Sequence, residues 1–198
     1  MDKQRIEVTV SEIFKENLAA LRQGRQIEMN FYLFFADGYW KFPETKLPKE
    51  GLYAMVNLVV NSLQPEAYCL VSDTFVRDPQ TNEIMYEQLL AVIVEKQGVG
   101  LSMYKPYERL PNRKIKLTRP QHSLDGLAMS GRATEMYDPA PNVFADESLM
   151  AAFIQMHKNM IAKDKVAYKD YTKTTDETPE ADAKGKPRHA ADDGVGLH

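Results

Sequence analysis

Between Ile27 and Leu117 the chain repeats one pattern: short alternating stretches rich in aromatic and β-branched residues, with a single amphipathic helical stretch inserted. The first stretch sets the terms. From Ile27 to Phe35 the period is two, with Ile27, Met29, Phe31, Leu33 and Phe35 on one parity and Glu28, Asn30, Tyr32 and Phe34 on the other. Successive side chains of a strand point to opposite faces, so this is strand rather than helix. Asp37-Gly38 then predicts a tight hairpin turn with a positive φ, and Tyr39 to Phe42 returns as a second strand. Pro48 suits the first turn of a helix, where its missing N–H has no intrahelical partner. Leu52, Val56, Val59, Val60 and Leu63 recur at helical spacing from there until Pro65 ends the pattern. Period two returns over Ala67 to Phe75. Turn residues Asp78, Pro79, Thr81 and Asn82 lead into Leu89 to Val94, an almost unbroken apolar run of the kind a central strand covered on both faces requires. Leu101 to Lys105 and Arg113 to Thr118 complete the set. Consecutive hairpins favour antiparallel pairing. The expected fold is therefore α+β, a mainly antiparallel sheet of about five to six strands packed with two or three helices.

The flanks are simpler. Thr9 and Glu12 have capping-box spacing, so a first helix is expected from there, with Ile13, Phe14, Leu18 and Leu21 on its apolar side and Gly24 at its end. Residues 119–145 are broken by Pro120, Gly126, Gly131, Pro139 and Pro141 and read as a long irregular connection. Asp146 is a candidate N-cap for a last helix over 146–172, whose stripe includes Leu149, Phe153, His157 and Ile161. From Lys173 to His198 there is no Ile, Phe, Met, Tyr or Trp, and such a segment cannot offset its ordering entropy by burial. The organisation expected is one domain over 1–172 and a disordered tail over 173–198.

Composition narrows the functional classes. A net charge of -3 gives no global positive field for nucleic acid or an anionic membrane. One cysteine, Cys69, leaves no internal disulfide framework and no multi-cysteine zinc site, and fits a reducing compartment, so the cytoplasm is the expected location. The start Met-Asp-Lys-Gln-Arg lacks the apolar core of a signal peptide, and no long apolar run follows, so no membrane partner is expected. His122, His157, His189 and His198 do not pair at ligand spacing, and neither a metal site nor another cofactor is expected.

Three groups of residues carry chemistry. Asp73 and Glu95 lie on neighbouring expected strands and imitate the carboxylates with which magnesium-dependent nucleases hold their ion. They define the enzymatic alternative, a metal-dependent nuclease or phosphodiesterase. The segment 104–119 is basic, with Lys105, Arg109, Arg113, Lys114, Lys116 and Arg119 beside Tyr104 and Tyr107, the mixture that a phosphate backbone or single-stranded bases call for. The first hairpin has more aromatics than one buried face needs. Tyr39 and Trp40 are the candidates there for a protein-docking patch, helical cover being the competing account.

The stretch Val71-Ser72-Asp73 through Arg77-Asp78-Pro79, followed by Glu83, Glu87 and the run Leu89 to Val94, resembles a diffuse group of small uncharacterised bacterial and phage proteins. In these, a helix, a strand pair and a second helix precede a meander with Asp-Pro at its central turn. The resemblance spans roughly Thr9 to Leu117. It implies an α+β fold and a prokaryotic or viral source, and it brings no activity or catalytic residue with it. Taken together, the sequence ranks binding above catalysis. The expectation is a non-enzymatic accessory protein acting on a protein partner, with nucleic acid through 104–119 as the lesser option and self-assembly through the last helix as a third.

Overall fold

The alternation becomes one seven-stranded sheet in which every neighbouring pair is antiparallel. In chain order its strands are β1 (Asn30–Phe35), β2 (Gly38–Lys41), β3 (Ala67–Arg77), β4 (Ile84–Glu95), β5 (Gly98–Arg109), β6 (Ile115–Leu117) and β7 (Val166–Ala167). In space they lie as β6-β5-β4-β3-β1-β2-β7. Among the described residues three helices accompany it: α1 (Lys3–Arg22), α2 (Lys49–Leu63) and α3 (Glu147–Asp164). The structure is a computed structural model and describes residues 2–78, 80–118, 133–138 and 146–169. The described residues up to Tyr168 form one compact unit. All of the expected tail over 173–198, with His189 and His198, falls outside the described residues, as do His122 and most of 119–145.

The sheet separates two cores, which is why β1 is aromatic on both parities. On one face Ile6, Val10, Ile13 and Leu21 of α1 pack on Tyr32, Phe34, Cys69, Val71, Leu89 and Ile93. On the other, Val56, Val59 and Val60 of α2 and Ile161 of α3 pack on Phe31, Leu33, Tyr68, Leu90 and Val92. Each such side chain, fully withdrawn from water, contributes roughly 1.5–3 kcal/mol. Both parities of Leu89 to Val94 are buried, as the unbroken apolar run required.

Four expectations are corrected. The first helix starts at Lys3, a full turn and more before Thr9. Asp2 caps it by accepting from the Arg5 N–H at 3.3 Å, and Thr9 lies inside it, buried against the sheet. The apolar stripe runs back through Val10 to Ile6, and packing outweighs the low helix propensity of those β-branched residues.

The turn of the first hairpin is Ala36-Asp37, with Phe35 paired to Gly38. Gly38 is not left-handed. Its missing side chain makes room instead: a Cβ there would lie 3.0 Å from the Val166 carbonyl carbon and closer still to its oxygen.

β4 and β5 are each 12 residues long, about twice the apolar run visible in β4. Pro106 sits inside β5 without breaking it. Its carbonyl accepts from Thr118 N at 3.1 Å, so its missing N–H faces the outer side and costs β4 no hydrogen bond.

The last helix stops at Asp164 instead of running on to 172. Lys165 turns the chain so that Val166 and Ala167 add a seventh strand against β2. The Lys165 ammonium pairs with Asp37 across that junction.

Within the irregular connection, residues 133–138 are tied to the α2 side of the sheet. The Tyr68 hydroxyl donates to Ala133 O and accepts from Met136 N, both at 3.1 Å. Asn57 Nδ2 donates to the carbonyls of Met136 and Asp138 at 3.1 and 2.7 Å. Asn61 Nδ2 donates to Met136 O at 2.8 Å. These bonds satisfy backbone groups that the segment would otherwise bury unpaired around the Met136 side chain.

Candidate functional site

α1 covers its face of the sheet from the end that carries Glu95 toward β6, and it leaves the far ends of β3, β4 and β5 open. There the register sets Asp73 opposite Leu89, which faces Lys105, and Phe75 opposite Glu87, which faces Tyr107. Residues of one row share a face, so Asp73, Glu87, Tyr107 and Arg109 all stand on the α1 side. Their polar groups converge. Arg109 Nη2 donates to Asp73 Oδ2 at 2.9 Å and Nε to Glu87 Oε2 at 3.0 Å, while a second Nη2 contact reaches the Tyr107 hydroxyl at 3.0 Å. The Tyr107 hydroxyl itself donates to Asp73 Oδ1. The guanidinium also lies 5.5 Å from the centre of the Tyr107 ring, within cation–π range.

The electrostatics favour rigidity over reactivity. Burial is the first cause that raises the Tyr107 pKa, and the hydrogen bond and charge of Asp73 push it further the same way, so the phenol stays protonated. Burial alone would lower the Arg109 pKa, but the charges of Tyr107, Glu87 and Asp73 outweigh it and the net shift is upward. Side-chain exposures of 15% for Asp73, 24% for Glu87 and 34% for Arg109 place the network between a surface ion pair and a buried one. Replacing Arg109 by Met should therefore lower stability by about 1–3 kcal/mol, the cost of leaving charged acceptors unpaired. Urea unfolding checks this. Most of the loss should vanish in a Glu87→Gln, Asp73→Asn background, and a change within about 0.5 kcal/mol in the wild-type background would show the network to be incidental.

Two open clefts flank Arg109. One, of ≈ 540 Å³, is lined by Gln26, Ile27, Asp73, Phe75, Arg109 and Arg113 together with Gly24. The other, of ≈ 450 Å³, is lined by Ile84, Tyr86, Glu87, Tyr107, Arg109 and Thr118 among others. Phe75 is 52% exposed and Ile84 51%, so each cleft presents one large apolar side chain to solvent. Neither Phe75 nor Ile84 stood out in the sequence. Both fit the alternation of a strand, and only the length of the β3–β4 hairpin beyond the helix shows them to be uncovered.

The other candidates fare unevenly. Asp73 and Glu95 are not a pair: Glu95 sits opposite Ala67, six positions along β3 from Asp73 and so roughly 20 Å away at strand rise, and its carboxylate takes Lys3 at 3.2 Å. Among the described residues no three His, Cys, Asp or Glu side chains group as metal ligands would.

Trp40 is not a surface group. It is 2% exposed and packs edge-on to Phe42 and His157, with ring centres at 5.6 and 6.0 Å. Tyr39 is half-buried, stacked on Phe34 at 5.9 Å and flanked by Tyr168. α3 supplies His157 as cover for Trp40, while Tyr39 packs against the core on the α1 side.

The basic segment is divided. Lys105 and Arg109 are on the α1 face, Lys116 is paired with Glu108 on the opposite face, and Arg113 and Lys114 lie in the turn between β5 and β6. Cys69 is wholly buried, and burial raises its thiol pKa, so it is held as an unreactive thiol. No helix among the described residues is long and apolar enough to cross a membrane. No family model matches this chain, and neither a curated protein nor a solved structure matches it.

Proposed function

We propose that this chain is a non-enzymatic accessory protein that docks a protein partner on the open end of its α1 face. What carries this reading is the combination there of two exposed apolar side chains, Phe75 and Ile84, with a hydrogen-bonded ridge, Arg109, standing between the clefts they line. Aromatic and arginine side chains supply much of the energy of protein interfaces, and a ridge already held by three partners loses little freedom on binding. The reactive side chains among the described residues support binding over catalysis. The Tyr107 phenol is held protonated, the Cys69 thiol is buried, and His157 is enclosed by Trp40, Phe42 and Phe153. Capture from host lysate tests it as a comparison: a partner retained by the wild-type chain should be reduced about tenfold or more by Phe75→Ser with Ile84→Ser, while the melting curve is unchanged. Equal capture by both forms would sink the proposal.

A second reading, self-assembly through α3, is favoured by one observation. Leu149 is 60% exposed and Met156 47%, two turns apart on one side of that helix, where side chains seven residues apart align. Sedimentation velocity should show a dimer at micromolar concentration that Leu149→Glu dissociates, whereas a wild-type monomer rejects this reading.

A further inference from the structure

Two turns distant in sequence meet at the open end of the α1 face. Gly24, just past α1, and Arg113, between β5 and β6, are both left-handed, with φ of +80° and +65°. A Cβ on Gly24 would be only 3.6 Å from Arg113. Both turns are basic. Arg22 and Arg25 flank Gly24, and Lys114 follows Arg113. All four cations are exposed, and none enters an ion pair among the described residues. Arg113 lines the ≈ 540 Å³ cleft to which Phe75 and Ile27 give apolar surface, and the other three are its and Gly24's neighbours in sequence. On a chain of net charge -3, this corner is a local cationic site beside an exposed aromatic ring.

We infer that this corner binds an acidic peptide segment that carries an aromatic or aliphatic side chain, an inference that rests on the protein-docking reading above and names the partner's chemistry. The apolar side chain seats against Phe75 and Ile27. A neighbouring carboxylate is met by Arg113, whose planar fork suits it. Arg109 does not serve that purpose, because its Nε and Nη2 are already engaged by Glu87 and Asp73. It forms the wall that separates the cleft from its neighbour. Elsewhere the net negative charge of the chain disfavours an acidic segment, and this contrast steers it to one corner. Nucleic acid fits less well. A strand needs cations spaced along its path, whereas here they crowd one corner, Lys116 stands on the opposite face, and the Asp73 and Glu87 carboxylates line the way out.

The test is selection from a random displayed-peptide library on the immobilised full-length chain, followed by titration of the enriched peptides in increasing salt. The expected peptides combine Asp or Glu with Phe, Leu or Trp, and they weaken with salt. They also bind about tenfold or more weakly to Arg113→Glu and to Phe75→Ser, while melting curves of both variants match wild type. Peptides without acidic bias that still need Phe75 would overturn the inference and leave the docking surface standing. Peptides indifferent to both substitutions, or no enrichment at all, would overturn both. Displacement of the acidic peptides by oligothymidylate that binds more tightly and also depends on Arg113 would replace the peptide with single-stranded nucleic acid.

Discussion

Replacing Trp40 by Ala is expected to destabilise the domain by about 3–5 kcal/mol, the usual cost of deleting a large aromatic side chain from a core. The indole is 2% exposed and lies between Phe42 and His157, so the substitution opens a void at the junction of β2 with α3. The His157 ring then loses a neighbour while its Nδ1 stays bonded to the Phe153 carbonyl at 2.9 Å. That bond holds the ring in place, so the site cannot easily collapse, and incomplete collapse places the cost toward the upper end of the range. Urea unfolding gives the number directly. A loss below about 1 kcal/mol would mean that Trp40 is loosely held and would restore it as a docking residue.

The second large effect is alkaline. The neutral phenols of Tyr32, Tyr68, Tyr107, Tyr137 and Tyr168 are favoured in the folded state, first because burial penalises the phenolate, and Tyr86 is shifted the same way. Tyr32 is pushed up to about 12 from 10.0. The folded chain therefore binds protons more tightly than the unfolded one. The stability from these groups is fully present below pH 10 and is lost as the pH rises through the unfolded value toward 12 and beyond. At about 1.4 kcal/mol per unit, Tyr32 alone accounts for roughly 3 kcal/mol, and the other shifted phenols act in the same direction. Phenolate absorbance followed together with circular dichroism should show these shifted tyrosines ionising only as the fold is lost. All ten tyrosines titrating in one step near pH 10 with an unchanged dichroism spectrum would contradict the packing described.

Much of the sheet was legible because burial leaves a trace in local order. The two-sided aromatic pattern of β1, the proline bracket around α2 and the apolar run of β4 all report what lies above and below them. What escaped depends on residues far apart in the chain. Nothing near Trp40 announces that α3 covers it. Nothing near Asp73 announces that Arg109 reaches it across β4, since that contact requires the β3–β4–β5 register and 36 residues of separation. β7 has two residues, too few for any period, and its only advance sign was a glycine at position 38, which the hairpin itself seemed to explain. Asn57 and Asn61 read as ordinary polar positions of a helix until their amides meet the Met136 carbonyl. The candidate surface was half visible: the basic residues could be named, but their division between two faces and a turn is decided by which strand they occupy and where it ends.

The junction of β7 with β2 also orders events in time. Every strand from β2 to β6 finds at least one partner in a segment already made when it emerges from the ribosome, so the sheet can grow hairpin by hairpin. The last cover, from Glu147 to Ala167, comes at the end, and the Lys165–Asp37 pair closes a loop of 128 residues. Until then Trp40 and Phe42 lack their cover from α3, and β2 shows a bare edge, which makes the nascent chain most prone to association in the interval just before synthesis of the domain is complete.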